Sequence, residues 1–230
     1  MLCLARTTRI TVEIRYGAAA RACNPRTFHG RRSANRTSDR DNVERVFVLG
    51  IDPGLSRCGY GAVMRDDKAQ LHAVAGGVIA TRRDATLPER LRVLLDELQS
   101  LVTETRPDVV VVEHVFFQTN ARTAMSVGQA SGIAMVAAAQ SGCEVVRYTP
   151  NEVKQALVGY GSATKLQVQR MVASVLRLDA PPRPPDVADA LALAVCHLST
   201  MPLRRAMTAS LSRSASRSHP SGSVSSGARR

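Results

Sequence analysis

Two short apolar segments that each end in an acidic residue constrain the fold of this chain more than any other feature. VFVLGID at 46–52 and DVVVVEH at 108–114 contain near-continuous apolar runs. Such runs are typical of strands that are buried on both faces of a sheet. Asp52 and Glu113 follow the runs directly, where an unpaired carboxylate near the core is costly. We therefore expect a sheet covered by helices, with two acids held at the ends of its strands.

Three further strands are predicted. CGYGAVM at 58–64 and LHAVAGGVIAT at 71–81 consist of small and apolar residues, with a glycine pair in the second that marks a bend or bulge. Their short connections favour an antiparallel meander with the first strand. CEVVRY at 143–148 predicts the fifth strand.

Two capping boxes mark predicted helix starts, at Thr86 and Thr149, each with a glutamate three residues later. Leucines at helical spacing follow the first box. A small-residue helix reaching Gly142, a helix over about 164–178 and a last helix in DVADALALAVCHL complete the pattern. The order βββαβαβ, followed by helices, resembles a ribonuclease-H-like fold: an α/β domain whose five-stranded mixed sheet is flanked by helices.

The basic charge of the chain is concentrated at its two ends. The formal net charge is +12, yet residues 46–201 hold 15 basic and 15 acidic residues. Residues 1–45 contain ten arginines and four acids, and residues 202–230 contain six arginines and no acid. We predict one domain over 46–201 and a disordered Ser/Arg-rich tail over 202–230. Residues 1–45 are expected to be a disordered extension or to lie upstream of the true start, with an organelle transit peptide as the alternative.

Composition excludes several other classes of protein. The five cysteines are scattered and form no CxxC pair, which argues against a disulfide framework or a zinc site and favours a reducing, cytosolic setting. No run of 18 apolar residues is present, so no transmembrane helix is expected.

Four acids are the candidate catalytic residues. Asp186 and Asp189 lie three residues apart at the start of the last helix, hence on one face of it. If the first and fourth strands are neighbours, Asp52 and Glu113 meet that helix at the ends of their strands. Clustered carboxylates raise each other's pKa unless a cation neutralises them. Oxygen ligands without a nearby His or Cys pair suit magnesium or manganese, and two such ions about 3.5–4 Å apart would activate water and stabilise the leaving oxygen of a phosphodiester.

Each of these acids alone has a simpler explanation. An aspartate after a strand is commonly a turn former, and Asp186 alone suits a helix cap. It is the set of GIDPG, VVVVEH and DVADALA, in that order and at those spacings, that favours catalysis.

Four segments together resemble the RuvC family of Holliday-junction resolvases, and the resemblance spans about 46–200: GIDPGLSRCGYG, VVVVEHVFFQTNARTAMSVGQASGIA, NEVKQALVGYGSATKLQVQRMV and PPDVADALALAVCH. It implies a magnesium-dependent crossover junction endodeoxyribonuclease, a DNA-binding hydrolase of recombination and repair in the bacterial cytoplasm. Its implied partners are four-way junction DNA and a branch-migration helicase of the RuvA–RuvB type. Because a four-way junction is two-fold symmetric and needs two opposed nicks, a homodimer is expected.

The resemblance also assigns roles to individual residues. It implies that the metal ligands of the site are Asp52, Glu113, Asp186 and Asp189. Phe116 matches the aromatic residue that contacts bases near the crossover, and Lys154 and Lys165 match basic residues beside the site.

Independent reasoning on the basic and polar residues leaves alternatives open. Lys165 falls in the first turn of its helix, where a cation is slightly unfavourable and a phosphate partner would reverse the cost; a solvated lysine is the alternative. Lys154, after a capped helix start, also suits a solvent-facing position. Asn120 and Arg122 lie in a polar loop and are placed to reach DNA phosphate, although an ordinary solvated loop fits equally well.

Three rival functions remain. An actin-like or sugar-kinase ATPase also begins with Asp-x-Gly after a strand, but requires a duplicated domain that 46–201 cannot hold. A ribonuclease-H-like nuclease that acts on structured RNA is the closer alternative. A junction-binding protein without catalysis would not need four acids.

Overall fold

A computed structural model describes residues 9–12, 45–114 and 121–217. Within them, six strands form one mixed sheet: β1 (Arg9–Val12), β2 (Val46–Asp52), β3 (Arg57–Arg65), β4 (Leu71–Ala80), β5 (Val109–Glu113) and β6 (Glu144–Tyr148). The described helices are α1 (Leu87–Thr105), α2 (Ala121–Gln140), α3 (Pro150–Val158), α4 (Lys165–Val175) and α5 (Pro185–Arg217).

The strand order of the sheet is β1-β4-β3-β2-β5-β6. β2, β3 and β4 form the predicted antiparallel meander, and a register shift between Ala62 and Val63 interrupts the pairing of β3 with β4. β5 lies beside β2 and runs parallel to it, and β6 runs parallel to β5. The neighbouring positions of the first and fourth predicted strands are thereby confirmed.

Side chains alternate between the two faces of the sheet, and each face is covered by its own helices. In β2, Val46 and Val48 belong to a buried cluster with α3, α4 and α5, whereas Leu49 and Ile51 belong to a second cluster with α1 and α2. This alternation follows from the two-residue period of a strand. The sheet is buried on both sides, as the apolar runs predicted.

Helix starts follow the predicted capping boxes. The backbone N–H of Thr86 donates a hydrogen bond to the Glu89 carboxylate at 2.8 Å, and α1 begins at the next residue. The Thr149 N–H donates to Glu152 at 2.7 Å in the same way, ahead of α3. A third box, which was not predicted, joins Thr164 to Gln167 and fixes the start of α4 at Lys165.

α5 is buried on nearly all sides where it crosses the sheet. Every residue from 187 to 198 is buried except Asp189, because the strands cover one side of the helix and α3 and α4 cover the other. A helix that is covered all round needs apolar residues all round. ALALAVCHL supplies them.

Three glycines let α5 approach the sheet closely. A Cβ atom added at Gly50 would lie 2.0 Å from the carbonyl oxygen of Ala190, and one at Gly61 would lie 2.7 Å from Cγ of Leu191. At Gly59 the added atom would lie 2.3 Å from the carbonyl oxygen of Asp186. These distances are far inside van der Waals contact, so the helix backbone rests directly on β2 and β3.

Both ends of the domain contain structure that the sequence did not predict. Arg9–Val12 pairs antiparallel with β4 as a sixth strand at the sheet edge, within the segment expected to lack structure. Edge strands need few contacts of their own because the neighbouring strand supplies the hydrogen-bond template. α5 extends past Met201 to Arg217, into the predicted tail. A helix started in the core can extend outward because each added residue contributes one more hydrogen bond.

Two negative findings hold for the described part of the chain. None of its helices has the length and apolar character needed to cross a membrane. Its three cysteines, Cys58, Cys143 and Cys196, are free thiols.

Gly50→Ala tests the close approach of α5. The new methyl group would meet a backbone oxygen that cannot rotate away, so we expect the free energy of unfolding to fall by about 2–3 kcal/mol or more. Gly161→Ala is the matched control, because its added Cβ would make only ordinary contact with Asn151 at 3.9 Å; its effect should stay within about 0.5 kcal/mol. Urea denaturation measures both variants. Equal stabilities for the two would contradict the close packing.

Candidate active site

Asp52 and Glu113 lie side by side at one end of the sheet. Ile51 of β2 is paired with Val112 of β5, and each acid is the next residue of its strand. Strand alternation places Asp52 on the same face as Val48, and Glu113 on the same face as Val111, which is the face covered by α5. The carboxyl groups of Asp52 and Glu113 lie close enough to act on each other's ionisation.

α5 brings the other two acids to the same place. Asp186 lies in its first turn, and Asp189 follows three residues later. The Asp186 backbone packs on Gly59, which is paired with Asp52 across β2 and β3. The missing side chain at Gly59 is therefore what allows the start of α5 to reach the ends of β2 and β5. Glu113, Asp186 and Asp189 each lie near enough to act on the ionisation of Asp52, so the four acids converge at one place.

Burial and repulsion act strongly on the two strand acids. Burial, followed by the charges of Glu113 and Asp189, raises the pKa of Asp52 to about 7. Burial and the charge of Asp189 also raise the pKa of Glu113. In the absence of a cation, the arrangement of lowest free energy for these two carboxyl groups is one in which they share a proton.

Lys165 contacts this cluster from the start of α4. Its Nζ lies 2.5 Å from Oδ2 of Asp189. Burial opposes the charged lysine, but the hydrogen bond that Lys165 donates to Asp189 and the charges of the nearby carboxylates raise the pKa of Lys165 overall. This partner is a carboxylate, so a phosphate partner for Lys165 stays a prediction.

Arg57 is a second cation at the site, and the sequence analysis missed it. Its Nη2 lies 2.8 Å from Oδ2 of Asp186, and its Nε lies 3.3 Å from the same oxygen. Burial opposes ionisation of Asp186, but the hydrogen bond from Arg57 lowers the pKa of this carboxyl below its usual value. A signal was present: Arg57 precedes Gly59 and Gly61 at alternating positions of β3, so it lies on the face that α5 covers.

The donor set suits a hard divalent cation. All four acids offer oxygen ligands, which magnesium and manganese prefer, and the raised pKa values of Asp52 and Glu113 indicate two carboxyls that lack enough positive charge. Within residues 45–114 and 121–217, however, no three acidic, His or Cys side chains are already grouped around a single ion position. Lys165 and Arg57 contact Asp189 and Asp186 instead.

The other predicted contact residues are placed only in part. Phe116 and Asn120 lie outside the described residues. Arg122 belongs to the first turn of α2 by its backbone, and its side chain is not described. Lys154 is half-buried in α3. The structure therefore brings together the four acids and Lys165 from the predicted set, and adds Arg57.

Comparison with known protein families identifies a match that spans most of the domain. Residues 48–197 match the family described as Crossover junction endodeoxyribonuclease RuvC. The relative of that name from Natranaerobius thermophilus is 44% identical over 159 residues, which are 69% of this chain and 98% of the relative. The Thermobifida fusca protein of the same name is 52% identical over 151 residues, 66% of this chain and 83% of the relative.

Solved structures give the same result. The Thermus thermophilus RuvC structure superposes with a TM-score of 0.64 at 36% identity, covering 68% of this chain and 96% of that one. The complex of Thermus thermophilus RuvC with a Holliday junction substrate gives a TM-score of 0.63 at 34% identity, with the same coverage. The yeast mitochondrial Holliday junction resolvase, at 11% identity and a TM-score of 0.52, shares the fold.

The high pKa of Asp52 predicts a dependence of stability on pH. Because the folded-state pKa of about 7 exceeds the ordinary value of 3.8, the folded state binds this proton more tightly than the unfolded state. Stability is therefore undiminished at acidic pH below the ordinary value and falls as the pH rises toward 7. Asp52→Asn removes this loss, so we expect it to raise the free energy of unfolding at about pH 8 by about 1–3 kcal/mol, and by less at about pH 5.

Urea denaturation in the presence of a chelator measures this difference at both pH values. Asp96→Asn, which alters an exposed acid paired with Arg92 on α1, is the control. Its effect on the free energy of unfolding should be the same at both pH values. A variant Asp52→Asn that is no more stable than the native chain at the higher pH would contradict the expectation.

Proposed function

The chain belongs to the RuvC family of crossover junction endodeoxyribonucleases, and from this premise we propose which of its residues carry out the reaction. As a member of that family it is a DNA endonuclease that resolves four-way (Holliday) junctions by hydrolysing phosphodiester bonds, in DNA recombination and repair. The alternative of a nuclease for structured RNA has no support among the relatives. The observation that carries the residue assignment is the convergence of four acids at the ends of β2 and β5 and the start of α5.

The proposed metal ligands are Asp52, Glu113, Asp186 and Asp189. The family is metal-dependent, and we assign Mg²⁺, with Mn²⁺ as a substitute, at two ions per subunit. Bound there, the ions would supply a more acidic water and stabilise charge on the phosphodiester oxygens. The oxygen-only donor set and the raised pKa values of Asp52 and Glu113 support this assignment.

Lys165 is proposed to hold a DNA phosphate beside the acids. It lies at the first position of α4, where the backbone N–H groups of the helix also favour an anion. With its ammonium already 2.5 Å from Asp189, a small rotation would let it bridge a carboxylate and a phosphate. Such a contact would position the scissile group and offset the repulsion between the acids and the DNA.

Further DNA contacts are proposed on two grounds. The family resemblance assigns Phe116 to bases near the crossover and Lys154 to phosphate beside the site. The polar segment 118–123 suits Asn120 and Arg122 to the phosphate backbone. Residues 46–201 are proposed as the nuclease domain, with the arginine-rich ends adding attraction to phosphate that is independent of base sequence and weakens with salt.

A homodimer is proposed to supply the two opposed nicks. One stripe of α2 carries Met125, Gly128, Gly132 and Val136, at a spacing that places them on one face. Met125 is 68% exposed and Val136 is 46% exposed, and no atom lies within 4 Å of a Cβ added at either glycine. Apolar residues that flank two glycines are suited to close packing against a second copy of the helix.

The family resemblance is the basis of two further proposals. One is a branch-migration helicase of the RuvA–RuvB type as a partner on the junction. The other is a cytoplasmic location in a bacterium, with which the free thiols of Cys58, Cys143 and Cys196 are compatible.

Neutralising each proposed ligand tests the catalytic assignment. We expect Asp52→Asn, Glu113→Gln, Asp186→Asn and Asp189→Asn each to slow cleavage at least about a thousandfold, which corresponds to about 4 kcal/mol of lost transition-state stabilisation. Junction binding should change little, because the acids are not its source of attraction. Single-turnover cleavage of a synthetic four-way junction with and without Mg²⁺ gives the rates, and gel-shift titration gives the affinities.

Asp96→Asn is the matched control for charge removal, since Asp96 lies on α1 and pairs with Arg92; its cleavage rate should equal that of the native chain. Substantial cleavage by any two of the four ligand variants would end the four-acid assignment.

Introducing a negative charge on the α2 stripe tests whether this stripe forms the dimer contact. Met125→Glu and Val136→Glu would bury a charge at the contact, so we expect each to weaken self-association by about tenfold or more. Val175→Glu, at an apolar position of α4 that is 37% exposed, should leave it unchanged. Sedimentation velocity at micromolar concentration measures the distribution. A native chain that remains monomeric there, with and without junction DNA, would contradict the dimer.

A further inference from the structure

Among the described residues, Arg57 is a cation at the acid cluster to which the function proposed above gives no role. It occupies the first position of β3, and both of its described contacts, from Nη2 and Nε, end on the same oxygen of Asp186. Its side chain remains 44% exposed, against 27% for that of Asp186. The guanidinium therefore covers one oxygen of a proposed ligand while its outer side stays open to solvent.

Arg57 and a divalent ion compete for the same carboxylate. An ion held by Asp186 would lie next to the guanidinium, and two like charges this close, at a partly buried site, repel strongly. The absence of any ready group of three ligands within residues 45–114 and 121–217 fits this competition, because Asp186 is oriented toward Arg57 and Asp189 toward Lys165.

Arg57 keeps one side toward solvent. Its side chain is 44% exposed, whereas the space beside it over Gly59 is filled by the backbone of Asp186. On the exposed side, the guanidinium is free to meet an anion. A planar guanidinium with several donors makes paired hydrogen bonds to phosphate as readily as to carboxylate.

We propose that Arg57 is an exchange residue: it holds Asp186 in the metal-free protein and transfers to a phosphate of the junction when a divalent ion takes its place. This inference rests on the proposed function, since it assumes that Asp186 is a metal ligand. It makes Arg57 a positioning residue that couples metal occupancy to DNA engagement. An ion pair that only stabilises the fold would show no such coupling.

Titration of the full chain with Mg²⁺ in the absence of DNA gives the first measurement. Because exposed ion pairs contribute up to about 1 kcal/mol, Arg57→Ala and Arg57→Gln should bind Mg²⁺ about two- to fivefold more tightly than the native chain in calorimetry. Arg92→Ala, which removes an exposed arginine from its pair with Asp96 on α1, is the matched control and should leave the affinity unchanged. Equal or weaker Mg²⁺ binding by both Arg57 variants overturns the proposal.

The second measurement is the affinity for junction DNA, taken with Ca²⁺ in place of Mg²⁺. Loss of one phosphate contact should weaken binding by both Arg57 variants about three- to tenfold and reduce the slope of log affinity against log salt by about 0.9. Unchanged affinity and slope overturn the transfer step even if Mg²⁺ binds more tightly. Failure of the proposed function is distinguishable from failure of the Arg57 proposal. In the first case the native chain would not cleave the junction with Mg²⁺, whatever the Arg57 variants do.

Discussion

The contact between the backbone of α5 and the faces of β2 and β3 is the constraint on which the site depends. Carbonyl oxygens of α5 occupy the space that side chains at Gly50 and Gly59 would fill. This contact fixes the height of the helix above the sheet, and with it the distance from Asp186 and Asp189 to the acids at the strand ends. Because backbone contacts cannot adjust by rotamer changes, the geometry of the four acids is set by the main chain.

That geometry has an electrostatic cost, and the surrounding chain offsets part of it. Four carboxyls at the end of a buried sheet raise the pKa values of Asp52 and Glu113. Lys165 and Arg57 enter from different elements and pair with the two acids of α5. Lys165 also favours the charged forms of Asp52 and Glu113, but burial and the neighbouring carboxylates outweigh it and keep both pKa values raised. An imbalance of this kind is typical of sites built to bind an ion.

Much of this arrangement was predictable because it follows from short-range patterns. Strand alternation and the apolar runs placed Asp52 and Glu113, and helical spacing placed Asp186 beside Asp189. Alternation along β3 places Arg57 on the face that α5 covers, but its pairing with Asp186 joins residues 129 positions apart and depends on how closely α5 approaches β3. The same limit applies to the Arg9–Val12 strand, whose pairing is set by the exposed edge of β4 rather than by its own sequence.

The enclosure of α5 by the sheet on one side and α3 and α4 on the other also has a kinetic consequence. Amide hydrogens in such a segment exchange with solvent mainly through unfolding of the whole domain. Asp189 lies within this enclosed segment and Asp186 directly before it, so both acids of α5 are anchored to a part of the domain that opens rarely. Any adaptation between this part of the protein and a substrate is then expected from the substrate and from long exposed side chains, because the enclosed helix itself does not move.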